Sequence, residues 1–370
     1  YVGIQTFSAG YIKEIICMFI DYKALSHNDF MKKPSRKFLR CAIIVDGLLW
    51  LGLVCFWSVY IVGVHAINND QATLISSEHL CYDKNLGFKP RSNHQFTHFD
   101  ITQVAADTAV IYSIVNHGAR NTGTINSPRT NHVLMLGGSY TFGQGLRDSL
   151  TFPFLLQNRL SRFSVSNFGF MGYSPQQIHQ LVEHKDWKKI LPSDSGVVFY
   201  NYINHHVDRL RGDPFSWTWL HHAPEFVLDD NLLIKNKGSF YSNHPLSMAL
   251  SRGLTEMGWH RLAYVLYSFG AKSRASLDAN KVLAYVLLDI KMAFRRQVPN
   301  YSFYLVFMPG ECNAALKDLC EELGVETIDF CQAIDLDSIG GRLVDGYHPN
   351  DKGSEALSAL YFEMLTNGSL

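Results

Sequence analysis

The feature that most constrains this chain is an apolar run at residues 41–64, CAIIVDGLLWLGLVCFWSVYIVGV, whose one charged residue is Asp46. A bilayer core of about 30 Å requires roughly 20 apolar helical residues, so the run predicts one transmembrane helix. The alternatives are a buried core helix, or a signal peptide cleaved after Val64-His65-Ala66. The run is longer than a usual signal core, which favours an uncleaved signal anchor.

Basic residues are distributed unequally around this run. Five Lys and Arg residues stand within residues 32–40, and the next one is Lys84. The positive-inside rule therefore predicts that residues 1–40 form a cytoplasmic segment and that everything after Val64 lies on the periplasmic or extracellular side. Met31 opens a well-formed signal-anchor sequence, so we expect residues 1–30 to precede the natural start or to belong to an upstream protein.

Composition excludes some classes of function. Lys plus Arg equals Asp plus Glu, at 33 each, so no bulk charge attracts nucleic acid and none is expected as a partner. Hydrophobic residues make up 47% and charged residues 18%, which is typical of a globular chain with a sizeable core.

Cysteine and histidine give a weaker signal. Four cysteines follow the apolar run, and they are compatible either with two disulfides in an oxidising compartment or, equally, with unpaired buried thiols. These are Cys81, Cys312, Cys320 and Cys331. No Cys/His spacing is typical of zinc, and the adjacent pairs His205–His206 and His221–His222 diverge as side chains, so no metal site is expected.

From residue 131 onward, short apolar runs alternate with helical patterns. The predicted strands are 133–138, 164–170, 196–203, 302–309 and 326–330, and the predicted helices are 151–163, 175–187, 312–323 and 350–365. Apolar strands that alternate with helices predict a three-layer α/β/α domain with a central, mostly parallel five-stranded sheet over 131–370. Residues 67–130 are interpreted as a polar leader packed on this domain, and residues 205–275 as an insertion that forms a cap.

Reactive groups in a doubly wound sheet stand at the carboxyl ends of the strands. Ser139 follows the first predicted strand in GGSYTFG, where a Gly-rich turn presents its hydroxyl and its own N–H to a cleft. A helix-cap or turn serine is the alternative. Position 141 is Thr, so the motif differs from the G-x-S-x-G elbow of the α/β-hydrolases.

The second and third predicted strands are followed by candidate donors. NFGFMGY, which contains Gly172, lets the backbone approach a substrate closely, or is an ordinary strand-to-helix turn. In YNYINHH, the Asn204 amide is a candidate oxyanion donor or a polar loop residue. Just before the last helix, DGYHPN supplies Asp345 and His348, an acid and an imidazole in one short loop.

Together, these blocks stand in the order of the SGNH (GDSL-like) serine hydrolases, and the chain resembles their membrane-anchored bacterial members. The resemblance covers about residues 131–366, and NLGFKP and YSIVNHGAR extend it to about residue 80. It implies acyl transfer through an acyl-serine, with Ser139 as nucleophile, His348 as general base and Asp345 orienting that histidine. The implied oxyanion hole consists of the N–H groups of Ser139 and Gly172 and the amide of Asn204, and no metal or cofactor is needed.

Two departures from the family pattern stand out. The usual Gly-Asp-Ser is Gly-Gly-Ser here, with Gly138 in place of the Asp. The usual Gly-x-Asn-Asp reads Tyr-Ile-Asn-His over residues 202–205, so only the Asn is retained, and Asn201 is a second candidate for the donor.

Three functional hypotheses follow from these features. The first is an extracytoplasmic esterase that acts on an ester-bearing small molecule, glycan or lipid, for example the O-acetyl groups of an envelope polysaccharide. The second is an O-acyltransferase that uses the same triad, passes the acyl group to a sugar hydroxyl and works with a membrane partner that delivers acyl groups. The third is a non-catalytic binding domain that retains the fold.

Overall fold

The structure is a computed structural model that describes residues 36–76, 79–98, 110–124, 129–212, 220–265 and 278–367. The expectations for residues 1–30, and parts of the predicted insertion and leader, lie outside these ranges. The chain divides into two compact units, residues 1–58 and residues 59–370, and all the candidate site residues belong to the second unit.

The apolar run lies in one long helix, α1 (Arg36–Ser76). Within the described part of the chain, it is the one helix whose length and composition suit a membrane crossing, over Ile43–Ala72. Its apolar side chains from residue 43 to residue 57 are largely exposed. The helix continues twelve residues beyond the predicted end at Val64, where Ile67 is buried against the insertion.

The described strands and helices alternate over most of the chain. The strands are β1 (Leu80–Asp83), β2 (Gly87–Pro90), β3 (His94–His98), β4 (Val110–Ile114), β5 (Asn131–Gly137), β6 (Phe163–Asn167), β7 (Gly196–Tyr202), β8 (Pro224–Leu228), β9 (Ile234–Ser239), β10 (Tyr301–Phe307) and β11 (Glu326–Asp329). The further helices are α2 (Ser139–Phe142), α3 (Phe152–Arg159), α4 (Pro175–His184), α5 (Trp187–Ile190), α6 (His205–Leu210), α7 (Phe240–Asn243), α8 (Pro245–Glu256), α9 (Ala279–Gln297), α10 (Ala314–Glu322) and α11 (Asp351–Thr366).

The central sheet has the order β11-β10-β7-β5-β6, and every neighbouring pair is parallel. This confirms the predicted five-stranded α/β/α fold. In β5 and β7 every position after the first is buried, because helices cover both faces of the sheet and require continuous apolar strands. The chain passes from β5 to β6 on one side and to β7 on the other, so the two central strands flank the switch point at which such sheets bind ligands.

Helices α4, α9 and α10 cover one face of the sheet, and α3 and α11 cover the other. Helix α9 was not predicted from the sequence. It begins at Asp278, whose carboxylate accepts hydrogen bonds from the N–H groups of Asn280 and Lys281, and it buries nine side chains. A 19-residue amphipathic helix of this kind is needed to close the layer between α4 and α10.

The leader contains two antiparallel hairpins, β1–β2 and β3–β4, that sequence analysis did not predict. Their side chains Phe88, Phe96 and Tyr112 belong to the same buried cluster as those of α4 and α9. The leader is polar in overall composition, so the sequence did not indicate that side chains on one face of its strands belong to the core.

One disulfide joins Cys312 and Cys331, whose Cα atoms are 5.2 Å apart. Cys81 and Cys320 are free thiols, so the four cysteines after the apolar run form one disulfide and leave two thiols unpaired. The disulfide connects the loop that follows β10 to the residue just after β11, both at the carboxyl edge of the sheet.

Candidate active site

Ser139 is the first residue of α2, immediately after β5 and Gly138. It is buried, and its carbonyl oxygen accepts a hydrogen bond of 2.9 Å from Gly143 N–H. Gly143 ends this single helical turn with φ +78°, where an added Cβ would overlap Thr151, so only glycine fits. The Gly-rich turn therefore presents the serine at the carboxyl edge of the central sheet, as the sequence predicted.

A buried guanidinium holds this turn in place. Arg120 Nη1 donates to the carbonyl oxygens of Phe142 at 2.6 Å and Gly143 at 2.7 Å, and Nη2 donates to Leu146. Its Nε forms an ion pair with Asp148 at 3.1 Å. The sequence motif that contains Arg120 was noticed, but its role was missed, because every one of these partners lies at least 22 residues away in sequence.

His348 connects the serine to the acid. Its Nε2 lies 2.8 Å from Ser139 Oγ, and its Nδ1 lies 2.5 Å from Asp345 Oδ2. With the proton on Nδ1, the imidazole donates to the carboxylate and accepts from the serine hydroxyl, which is the arrangement that proton abstraction requires. The structure thus brings together the three side chains that sequence analysis proposed as a triad.

The carboxylate of Asp345 is strongly hydrogen-bonded. Its Oδ1 accepts the N–H groups of Tyr347 at 2.9 Å and His348 at 3.0 Å, while Oδ2 faces the imidazole. Burial alone would raise the pKa of Asp345, but these hydrogen bonds and the charge of His348 outweigh it and lower the pKa. The acid is therefore held ionised, able to stabilise an imidazolium.

The loop that carries the histidine is bound to the nucleophile turn by a second contact. Tyr140, next to the serine, donates its hydroxyl to the carbonyl oxygen of Tyr347 at 2.6 Å. Arg342 Nη1 donates to the same carbonyl at 2.6 Å and to the Tyr140 hydroxyl at 3.0 Å. Burial raises the pKa of Tyr140, so the phenol keeps its proton and remains a donor at neutral pH.

The candidate oxyanion donors differ in their exposure and in whether their N–H groups are already hydrogen-bonded. Gly172 lies half-buried between β6 and α4 with φ +74°, a conformation that favours glycine. Asn204 is exposed just after β7; its Oδ1 accepts from Tyr202 at 3.2 Å, which leaves its NH2 group as the available end. Asn201 is fully buried, with its NH2 bonded to Thr141 and its oxygen to Tyr361. Of the two asparagines, only Asn204 therefore retains a donor for a ligand.

Glu311 fixes the position of Asn204, a role that sequence analysis missed. This glutamate is buried, and its Oε2 accepts the backbone N–H of Asn204 at 2.7 Å. Its neighbour Cys312 carries the disulfide to Cys331, so a covalent link anchors the loop. No local pattern marks Glu311, because its partner lies 107 residues away.

The space beside Gly138, where the Gly-Asp-Ser pattern has an Asp, is occupied by other side chains. A Cβ at Gly138 would lie 3.1 Å from His206 Nε2 and 3.2 Å from Arg209 Nη1. The Arg209 guanidinium donates to the carbonyl oxygen of Tyr173 at 2.9 Å. Burial, and then the charge of Arg209, hold the pKa of His206 well below its usual range, so this imidazole is neutral. His206 is buried while His205 is exposed, so the pair diverges as expected.

Among the described residues, one group of three side chains has metal-ligand geometry, His179, Glu183 and Asp289, with ligand atoms within 4.8 Å of one another. His179 Nε2 lies 2.7 Å from Asp289 Oδ2, and Glu183 pairs with Arg296 at 2.8 Å. The hydrogen bond of His179 and the ion pair of Glu183 join α4 to α9, and we assign no metal to them.

A cavity of about 460 Å³ lies between the leader and α4, where Asp83, Lys89, Tyr173 and Lys185 are among its lining residues. Ser139, Asp345 and His348 are absent from that lining. We therefore do not place the substrate of the serine there.

The fold and the site together define the chain as an α/β protein with a Ser–His–Asp arrangement at the switch point of a parallel sheet. Among solved structures, it is similar to a member of the lipolytic G-D-S-L family from Veillonella parvula, at 15% identity and a TM-score of 0.32, over 65% of this chain and 100% of that one. It is also similar to the esterase EstA from Pseudoalteromonas, at 12% identity and a TM-score of 0.38, over 64% of this chain and 97% of that one.

A third similar structure is a two-domain esterase described as active on acetylated mannans, at 12% identity and a TM-score of 0.34, over 65% of this chain and 50% of that one. No protein-family model matches the chain, and no curated protein matches it significantly. The solved structures that are similar to the chain thus include members of the family that the motif order resembles.

Proposed function

We propose that this chain is a serine esterase, held at the outer face of a membrane by α1, that hydrolyses a carboxylic ester through an acyl-serine intermediate. The observation that carries this proposal is the continuous hydrogen-bonded series from Ser139 Oγ through His348 to Asp345, at 2.8 and 2.5 Å. An activated serine of this kind attacks acyl groups without a metal or a cofactor.

In the first half-reaction, Ser139 Oγ bonds to the carbonyl carbon of the ester while His348 Nε2 takes the hydroxyl proton. The resulting oxyanion accepts hydrogen bonds from the N–H groups of Ser139 and Gly172 and from the NH2 of Asn204. Each such donor contributes about 3 kcal/mol to lowering the barrier. The C–O bond to the alcohol then breaks, and the imidazolium returns its proton to the departing alkoxide, which leaves as the free alcohol.

In the second half-reaction, a water molecule takes the place of the alcohol. His348 accepts one of its protons as the oxygen attacks the acyl-serine carbonyl, and the same donors hold the second oxyanion. The bond to Ser139 Oγ breaks, the imidazolium reprotonates that oxygen, and the carboxylic acid leaves. Throughout, Asp345 keeps the imidazole in the tautomer whose Nε2 faces the serine and stabilises its charged form.

The location forms part of the proposal. The basic residues before the apolar run, and the absence of Lys and Arg from residue 41 to residue 83, favour a cytoplasmic N-terminus and a catalytic domain outside. The disulfide Cys312–Cys331 supports the same side of the membrane, because such bonds persist in oxidising compartments. Ester groups of envelope glycans, such as O-acetyl groups, and lipid esters are the substrates that such a location offers.

Hydrolysis of p-nitrophenyl acetate by the full chain in detergent tests this function. Ser139→Ala and His348→Ala should each lower kcat by about 10³-fold or more, and Asn204→Ala by about 10²-fold. Asn231→Ala, which removes an exposed amide in the turn between β8 and β9, is a matched control and should retain activity within a few-fold. Activity that survives Ser139→Ala would refute the proposal.

Product analysis in the presence of a sugar acceptor separates hydrolysis from acyl transfer. Both reactions form the same acyl-serine and differ only in which hydroxyl attacks it. We expect free acid as the product whatever the acceptor. Acylated sugar that increases with acceptor concentration would instead assign the transferase reaction.

A further inference from the structure

The insertion packs directly on the end of α1. Ile67, three residues after the apolar run, is 1% exposed and belongs to a buried cluster formed otherwise by residues of the insertion. These partners are Leu220, Ala223, Phe240 and Met248. The insertion therefore has its own small core with α1, separate from the clusters that cover the central sheet.

Helix α8 crosses α1 in close backbone contact at two glycines. A Cβ at Gly63 would overlap the carbonyl oxygen of Ala249, and a Cβ at Gly253 would overlap the carbonyl oxygen of Val59. Reciprocal overlaps of this kind mean that neither position accepts a side chain and that the two helices are held together. Val59 and Gly63 belong to the last turns of the apolar run at residues 41–64, so α8 lies beside the end of that run.

A polar contact further along α1 fixes the position of α8 along the axis of that helix. Arg252, next to Gly253, lies 3.3 Å from Asp70, and His221 lies 3.5 Å from the same carboxylate. Asp70 is seven residues beyond Gly63, about 10 Å further along the helix axis. It is also the first acidic residue after the apolar run. Helix α8 thus spans the boundary between the apolar and the polar parts of α1.

The residues that follow α8 are apolar and exposed. Within the segment 257–265, which we name the interfacial segment, Trp259 is 62% exposed, Tyr264 48%, Val265 45% and Leu262 41%. Its basic residues His260 and Arg261 are exposed as well. Indole, phenol and aliphatic side chains beside a guanidinium are the composition found where a protein meets lipid headgroups.

We propose that the interfacial segment inserts into the outer headgroup layer of the same bilayer that α1 crosses, so that the insertion acts as a collar at the membrane surface. This inference rests on the membrane anchoring proposed above. We take lipid as the partner of the interfacial segment for two reasons. Helix α8 is fixed at the end of the apolar run, and the exposed apolar segment follows α8 directly in sequence. The guanidinium of Arg261 adds attraction to anionic headgroups.

Tryptophan quenching in nanodiscs tests this placement. The full chain is reconstituted into phosphatidylcholine–phosphatidylglycerol discs that carry no bromine, bromine on the upper acyl chains or bromine near the acyl-chain ends, and the contribution of one indole is the difference between the parent and its Trp→Phe variant. The Trp259 contribution should be about twofold lower in discs brominated on the upper acyl chains, because an interfacial indole lies near the upper acyl chain. The Trp187 contribution should be equal in all three, since that side chain is fully buried.

Trp50, in the middle of the apolar run, separates the two ways in which the inference can fail. Quenching of Trp50 and Trp259 together supports the collar. Quenching of Trp50 alone overturns the collar and leaves the anchor intact. If neither is quenched, the anchor itself is wrong, and the collar fails with it. Trp259 is exposed, so its replacement by Phe leaves the fold in place.

Discussion

Replacing Arg120 by Met should destabilise the chain far more than the loss of an ordinary surface charge. The guanidinium is 1% exposed, donates to three carbonyl oxygens of the loop after Ser139 and pairs with Asp148. It also lies 4.5 Å from the ring of Tyr112 and 4.4 Å from that of Phe142. Removing one partner of a buried ion pair costs about 3–5 kcal/mol, because the other charge is left uncompensated.

For a domain of this size, 1 kcal/mol corresponds to about 2–4 °C in Tm, so Arg120→Met should lower Tm by roughly 6–20 °C. Thermal unfolding of the full chain in detergent, followed by near-ultraviolet circular dichroism, measures this shift. Activity should also fall, because the carbonyls that fix α2 lose their donors and Ser139 is less well positioned.

Arg159→Met is the matched control. Arg159 pairs with Glu355 at the surface, where an ion pair contributes about 0–1 kcal/mol. Arg120→Lys should be intermediate, since one ammonium replaces the charge but cannot reach all four acceptors. If Arg120→Met lowers Tm no more than Arg159→Met, the assignment of Arg120 as the support of the nucleophile turn is refuted.

Three further predictions concern the loops around the site. Tyr140→Phe removes the donor to the Tyr347 carbonyl and should lower kcat for p-nitrophenyl acetate about tenfold, the equivalent of one hydrogen bond, with KM nearly unchanged; unchanged kcat would show that this contact does not position the loop. Because folding lowers the pKa of Asp345, its contribution to stability is complete above the unfolded value of about 3.9 and is lost as pH falls through the lower folded value. Asp345→Asn should therefore be less stable than the parent at pH 7 and nearly equal to it at about pH 2, and a gap that does not depend on pH would contradict this. Reducing the disulfide Cys312–Cys331, which closes a loop over a sequence separation of 19, should lower stability by about 3 kcal/mol, and Tm measured with and without dithiothreitol checks this.

The parts of the fold that sequence patterns predicted are those with a local signal. The apolar runs at β5 and β7 are continuous because both sheet faces are covered, and their observed bounds lie within two residues of the predicted ones. The site followed from topology, since the carboxyl ends of parallel strands meet at one edge. Ser139 and His348 are 209 residues apart in sequence, and the resemblance of the motif order to the SGNH hydrolases, together with this rule, led us to expect them close together.

The parts that were missed depend on distant partners or on a weaker pattern. Arg120 and Glu311 are ordinary charged residues in sequence, and only the fold shows that each binds backbone groups far along the chain. The sequence of helix α9 contains two helix signals, the capping Asp278 and an amphipathic pattern. No element was nevertheless predicted between the insertion and the fourth predicted strand. The leader strands were too short, and too polar on one face, to stand out.

The structure explains why Gly138 stands where the Gly-Asp-Ser pattern has an Asp, and the sequence motif alone does not. An aspartate at this position would need space that His206 and Arg209 occupy, and both of these residues follow Asn204 directly in sequence. The two departures are therefore connected, because the same helix α6 that follows Asn204 carries both side chains.

The central claim, that His348 activates Ser139 as a nucleophile, is tested most directly by labelling the full chain with a fluorophosphonate and locating the adduct by peptide mass mapping. We expect one adduct, on the peptide that contains Ser139, absent in Ser139→Ala and strongly slowed in His348→Ala. The exposed-loop variant Ser338→Ala should label like the parent. An adduct that persists in Ser139→Ala, or no adduct in a folded parent, would contradict the account.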